Sequence, residues 1–413
     1  MNADEVLVDL DINGRTELVG TAYFHVARNE VSTTFVYSPG YLAQRWAFPI
    51  DPQLPLSTGS YTIAGLPGAL SDCAPDRWGR NLVAKQHQRL VASGQARHRR
   101  LTEVDYLIGV SDVTRQGALR FRSPESPSHL AAGAHVPPLI RLPELQRAAD
   151  EAADGSDAAA KRLLDAGTGS LGGARPKASV LGDGGLMIAK FSRPTDDWSV
   201  IAWEGVALEL ASRAGISVPG RQLLTLDDRP VLVVDRFDRG GGSRVPYLSA
   251  MTATERRDGE PGDYLDIVEA IEDLSLNWRR DCAELFRRVV FSAAIHNTDD
   301  HLRNHGFLRR PAGWELSPVF DINPEPDVDT ERQTAINGAR SADEEMSALL
   351  DFGSLCHLDS RQARRIMRDV AEAVGQWRSV SHARALPTSE IAMFGDVFDR
   401  QVNAVLRAAG GPI

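Results

Sequence analysis

The sequence predicts a two-lobed α+β fold with a small amino-terminal α/β domain, and three observations carry that expectation. The chain has 413 residues, more than one domain usually spans. Strand-like alternation gathers in the first 40 residues and again between 178 and 234, whereas helical periodicity dominates beyond residue 285. A proline- and serine-rich stretch, Arg122-Ser123-Pro124-Glu125-Ser126-Pro127-Ser128 with Pro137-Pro138 soon after, separates the two parts and reads as a linker. The expected domains are therefore residues 1–130 and 136–413, the second with a small lobe to about 235 and a helical lobe over 240–413.

In chain order, residues 5–10 and 18–24 alternate apolar and polar positions around Asn13-Gly14, a hairpin signal, and residues 33–37 supply a third strand. Helical stretches follow at Arg77–Leu90 and Glu103–Ile108. The second region opens with helical sequence and then Gly167-Thr168-Gly169-Ser170-Leu171-Gly172-Gly173-Ala174. Two apolar runs, Ala178–Leu181 and Leu186–Phe191, flank Gly182-Asp183-Gly184-Gly185 and predict a second hairpin. Apolar residues at 203, 206, 207, 210, 211 and 214 trace one helical face, which Pro219 and Gly220 end. Val231–Val234 reads as a short buried strand, and Gly240-Gly241-Gly242 as a flexible crossover. Leu285, Phe286, Val289, Val290, Ala293 and Ala294 form a helical stripe running into Asn297, and helices are expected again at 361–376 and 389–408.

The composition excludes several classes. Hydrophobic and charged fractions of 42% and 25% are those of a soluble globular protein. A net charge of −10 argues against a chain whose main work is to hold nucleic-acid backbone, and Arg97-His98-Arg99-Arg100 reads as a solvated loop or helix end. Cys73, Cys282 and Cys356 are isolated and lack metal-ligand spacing, which suits a reducing compartment. The amino terminus is acidic where a signal peptide would be basic, and no apolar run approaches the roughly 20 residues a bilayer requires. A cytoplasmic protein with no membrane partner is expected.

The chemistry is concentrated in Asn297-Thr298-Asp299-Asp300-His301-Leu302-Arg303-Asn304, followed after a short hairpin-like stretch by Asp321. A carboxylate, an amide five residues on and a second carboxylate are what phosphoryl transfer from metal–ATP needs. Asp299 would receive or orient the proton of the attacking hydroxyl, while Asn304 and Asp321 would hold Mg²⁺. The Asp-x-x-x-x-Asn spacing is that of the protein-kinase catalytic loop, although Asn297-Thr298 stands where that loop carries His-Arg. Read alone, the segment also fits a surface loop rich in turn-forming Asn and Asp.

Upstream elements follow the order of a protein-kinase-like fold. Gly167-x-Gly169-x-x-Gly172 fits a loop whose bare backbone approaches phosphates, and equally a structural turn. Lys190, in the apolar strand after it, is the candidate for the ATP phosphates, and Glu204 on the next helix the candidate for its ion-pair partner; a strand-end lysine and a solvated glutamate are the bland readings. Asp235 and Phe237 lie where a kinase-like chain meets adenine, or simply end a charged strand. A competing two-metal hydrolase would use His301 and His305 with Asp299, Asp300 and Asp321, but it leaves the glycine loop and Lys190 without a role.

With Ser170-Leu171-Gly172-Gly173-Ala174-Arg175-Pro176-Lys177, Asp235-Arg236-Phe237-Asp238-Arg239, the Asn297–Asn304 loop and Ser317-Pro318-Val319-Phe320-Asp321, the chain resembles the HipA family of bacterial serine/threonine kinase toxins almost end to end. Pro55-Leu56-Ser57 and Ala74-Pro75-Asp76-Arg77-Trp78-Gly79-Arg80 look like that family's amino-terminal domain. The resemblance implies Asp299 as catalytic base, Asn304 and Asp321 as Mg²⁺ ligands, and ATP contacts from Ser170, Gly172, Gly173, Lys190, Asp235, Phe237 and His301. It implies Ser170 as an inactivating autophosphorylation site. It also implies a protein substrate, in the best-known case an aminoacyl-tRNA synthetase, and a small DNA-binding antitoxin of the HipB type through which any DNA contact is indirect. Two other readings stay open: a catalytically silent antitoxin-binding corepressor, and a small-molecule kinase of the aminoglycoside-phosphotransferase type.

Overall fold

A computed structural model describes residues 4–12, 14–28, 30–168 and 175–410. The chain divides into two compact units, one formed by the residues up to Pro194 with Val233–Leu248, the other by Thr195–Leu232 with Ser249 onward.

The first unit opens with an antiparallel five-stranded sheet. Its strands β1 (Glu5–Ile12), β2 (Arg15–Ala27), β3 (Glu30–Tyr37), β4 (Ser60–Ala64) and β5 (Leu119–Arg122) lie in the order β4-β3-β2-β1-β5. Alternation drives the fold: Val6, Val8 and Leu10 of β1 are buried with Ala22, Phe24 and Phe35 of its neighbours. Gly20 is required there, because a Cβ would sit 2.3 Å from Val36 O and 2.7 Å from the Phe35 ring. The sheet is antiparallel throughout, so this part is α+β in kind rather than the expected α/β. The Arg77–Ala92 helix is capped by Asp76, which accepts from Gly79 N–H at 2.6 Å, and the Glu103–Gly109 helix carries a Thr102/Asp105 capping box.

Two helices, Leu142–Ala153 and Asp157–Asp165, precede the expected hairpin of β6 (Lys177–Gly182) and β7 (Gly185–Phe191). The glycine run at 240–242 is not a crossover. Arg239–Gly240 pairs with Ser243–Arg244, and Gly241 and Gly242 take φ of +57° and +80°, the positive angles that a two-residue hairpin turn requires.

The second unit is mainly helical. Its helices longer than four residues are Val200–Arg213, Tyr264–Leu274, Trp278–Ala294, Ala342–Leu355, Ser360–Val374, Trp377–Ala383, Thr388–Met393 and Gly395–Ala408. The single helix expected at 389–408 is thus two, meeting at Phe394, whose ring packs 4.0 Å from that of Trp203. Trp377 and Phe398 complete that aromatic core, and Glu390 accepts from Trp203 Nε1 at 2.9 Å and Ser199 Oγ at 2.8 Å. The Val200–Arg213 helix is thereby fixed to the carboxy-terminal helices. No helix among the described residues is long and apolar enough to cross a membrane.

Candidate active site

The Trp278–Ala294 helix delivers the chain to the site through a tight carboxy-terminal cap. Asn297 N–H donates to Ser292 O at 2.8 Å and His296 N–H to Ala293 O at 3.2 Å, with His296 at φ +53°. This is a Schellman geometry with histidine in the left-handed position usually given to glycine. Buried His296 is held by contacts of Nε2 with Asp327 O (2.9 Å) and Nδ1 with Gln401 Nε2 (3.4 Å), which offset the strain. Beyond the cap, Asp299 O accepts from His301 N–H and from Asn304 Nδ2, both at 3.1 Å, so the loop folds back on its first carboxylate residue. The hairpin Gly306–Arg310/Gly313–Leu316 then returns the chain to Asp321, which takes φ +58°. A left-handed aspartate at this point is the kind of backbone strain that gathers at functional sites.

Asp299, Asn304, Asp321 and His301 are therefore brought together. The Asp299 carboxyl is pushed above the usual carboxylate range, chiefly by desolvation and then by the charges of Asp321 and Asp300, against the pull of His301 and Gln333. Gln333, which the sequence did not single out, donates from Nε2 to Asp299 Oδ1 at 2.6 Å, and its N–H donates to Thr298 O at 2.9 Å. It arrives from the polar stretch after Asp321, where nothing in the local pattern marks it.

Asp300 does different work. It is buried, accepts from Tyr264 OH at 2.5 Å, and lies 3.0 Å from His305 Nε2. Arg332 donates to Tyr264 OH at 3.2 Å and to Glu345 Oε1 at 2.5 Å, completing a buried chain of polar groups from the Ala342–Leu355 helix to the loop. Burial opposes ionisation of Asp300, yet His305, Tyr264 and Arg332 hold its carboxyl well below the ordinary range. His305 and Asp300 thus face each other rather than a shared metal. Among the described residues no group of three or more His, Cys, Asp or Glu is placed to hold one.

For a single Mg²⁺ the donors fit better. Asn304 Nδ2 is spent on Asp299 O, and its Oδ1 and the Asp321 carboxylate are the oxygen donors that would hold the ion. Two oxygen donors suit an ion whose other positions go to phosphate and water.

In the first unit, Lys190 is half-buried on β7 and stands directly opposite Lys177 on β6. Lys177 is itself buried and pairs with Asp76 at 2.8 Å. In Asp235-Arg236-Phe237-Asp238-Arg239, Asp235 is exposed and Phe237 half-exposed, whereas Arg236 and Asp238 are buried. Asp238 accepts from Arg236 at 2.5 Å, Arg239 at 2.9 Å and Gly117 N–H at 2.7 Å, and these hold its carboxyl at about 2 despite full burial. The motif is therefore more than a charged strand end. Glu204 is buried in the second unit, which removes its reading as a solvated glutamate. Gly169, Ser170, Gly172 and Gly173 lie outside the described residues.

The HipA-like C-terminal domain family matches residues 169–377, just over half of the 413, and the HipA N-terminal domain family matches 11–104. "Putative kinase Y4dM" of Sinorhizobium fredii (strain NBRC 101917 / NGR234) is 28% identical over 250 residues, 54% of this chain and 58% of that protein. "Toxin YjjJ" of Escherichia coli K12 is 25% identical over 181 residues, 41% and 40% of the two chains. The chain thus spans less than two thirds of the length of either relative. A chain of the Shewanella oneidensis MR-1 toxin–antitoxin complex of HipA, HipB and operator DNA superimposes with a TM-score of 0.70 at 15% identity, over 98% of both chains. The fold is accordingly the two-lobed, kinase-like α+β fold, and the chain belongs to the HipA family.

Proposed function

We propose that this protein is an ATP-dependent serine/threonine protein kinase that acts as the toxin of a toxin–antitoxin pair. The observation that carries the reading is the convergence of Asp299, Asn304 and Asp321 on one loop and its returning hairpin. Asp299 accepts the proton of a protein hydroxyl, and its raised affinity for protons suits it to that task. Asn304 and Asp321 hold Mg²⁺, which neutralises phosphate charge. Lys190 meets the ATP phosphates, Asp235 and Phe237 the adenine, and His301 the nucleotide beside the loop. The names of Y4dM and YjjJ support kinase and toxin readings respectively. The HipB and operator DNA in the S. oneidensis complex support a small DNA-binding antitoxin as partner. Asp299→Asn keeps shape and removes the accepting charge, so phosphoryl transfer should fall by about 10²–10⁴ in a folded protein. Near wild-type transfer would end the assignment.

Ser170 is proposed as an autophosphorylation site. A phosphate there adds about −1.5 to −2 charges beside the ATP phosphates and should oppose nucleotide binding. Peptide mapping after incubation with Mg–ATP should find phosphate at Ser170, rising as activity falls. An active enzyme that stays unmodified at Ser170 refutes the switch.

A further inference from the structure

The segment Asp112–Gly117 grips two separate stretches of the first unit. Thr114 and Arg115 are fully buried. The Thr114 hydroxyl donates to Gly167 O at 2.6 Å, at the residue that opens the glycine run. Thr114 Cγ2 also fills the space beside it: a Cβ on Gly167, whose φ is +75°, would lie 2.7 Å from that methyl. On its other side, Thr114 O accepts from Arg236 Nη1 at 2.9 Å, Arg115 O accepts from Arg239 Nη2 at 2.6 Å, and Gly117 N–H donates to Asp238 at 2.7 Å. The segment is itself held, because the Arg115 guanidinium donates to Cys73 O, Leu107 O and Val110 O at 2.8–3.1 Å. One rigid stretch therefore fixes both the start of the glycine run and the residues that alternate with Asp235 and Phe237.

We propose that Thr114 is a positioning residue for the nucleotide: through its hydroxyl on Gly167 and its carbonyl on Arg236 it sets the spacing between Gly167 and the segment that carries Asp235 and Phe237. The inference rests on the kinase reading of those two segments. It makes the amino-terminal part a determinant of ATP affinity although none of its residues is assigned to touch ATP. Geometry favours Thr114, since its own atoms reach both stretches.

Thr114→Val keeps the methyl packing and removes the hydroxyl, whereas Thr114→Ser restores the hydroxyl. Calorimetric titration of the full chain with Mg–ATP should show Thr114→Val weakened several-fold, up to about tenfold, the scale of one buried hydrogen bond, because Gly167 O keeps only the longer 3.4 Å donation from Ser179 Oγ, with Thr114→Ser within about twofold of wild type. Without nucleotide, hydrogen exchange in peptides covering 175–182 and 233–239 should quicken together in Thr114→Val. Wild-type affinity in Thr114→Val, or equal weakening in both variants, overturns the positioning role. A wild-type chain that binds no nucleotide overturns the kinase reading and this inference with it. That outcome is distinct from a binding-competent protein indifferent to Thr114.

Discussion

At the scale of single residues, the site sets activity against stability at Asp299. Its folded-state proton affinity is raised, so the fold disfavours the ionised form that the proposed chemistry would use. The deficit is full above the raised value and closes as pH falls toward the ordinary carboxylate value near 3.9. Asp299→Asn should therefore melt at a higher temperature than wild type at neutral pH, with the gap shrinking on acidification; a lower melting temperature at neutral pH contradicts this electrostatic account. Gln333 acts in the opposite sense, since its donated hydrogen bond favours the charged carboxylate. Gln333→Ala should shift the acid limb of the rate profile to higher pH, and an unmoved limb would show that the 2.6 Å contact does not govern the titration. The grouping of Asn304 and Asp321 around Asp299 was legible because their spacing along the chain is itself the signal, whereas their roles remain proposals. Gln333, Thr114 and His296 were not, because each acts through a tertiary contact made by a common residue type in an unremarkable local pattern.

At the scale of elements, strong periodicity was legible and short or charged elements were not. The first three strands, the β6–β7 hairpin and the Trp278–Ala294 helix follow the apolar pattern that predicts them. Strand β5 has only four residues, and its Arg120 and Arg122 hide it as a strand. Their charges are neutralised by Asp112 at 2.5 Å, eight residues before Arg120, and by Asp9 at 2.7 Å, far along the chain from Arg122. The Lys177–Asp76 pair is another such link, joining β6 to the cap of the Arg77–Ala92 helix with both side chains no more than 5% exposed. Removing one partner of a buried pair costs about 3–5 kcal/mol, whereas removing both charges costs far less. Denaturant melts should show Lys177→Met strongly destabilised and the double variant with Asp76→Asn recovering much of the loss. Additive losses would mean that the two charges do not act as a pair.

At the scale of the whole molecule, the two units hold together by different means, and the three cysteines report on them separately. Charge interlocked around Asp238 and Asp112 braces the first unit, whereas an aromatic cluster of Trp203, Trp377, Phe394 and Phe398 fills part of the second. Cys73 belongs to the first unit, beside Arg115, and Cys282 and Cys356 belong to the second. All three are buried, and burial pushes the Cys73 and Cys282 thiols up to about 12, so none should react with a maleimide until its unit opens. Asp238→Asn leaves the buried Arg236 and the half-buried Arg239 without their anion, a loss of about 3–5 kcal/mol. With a urea dependence of roughly 1–3 kcal/mol per molar, the midpoint for Cys73 labelling should fall by about 1 M or more. Each unit has its own core, and compact units of this kind unfold as separate cooperative bodies. The midpoints for Cys282 and Cys356 should therefore hold while that of Cys73 moves. An equal shift at all three thiols would show that the chain unfolds as one body and that the brace around Asp238 supports both units alike.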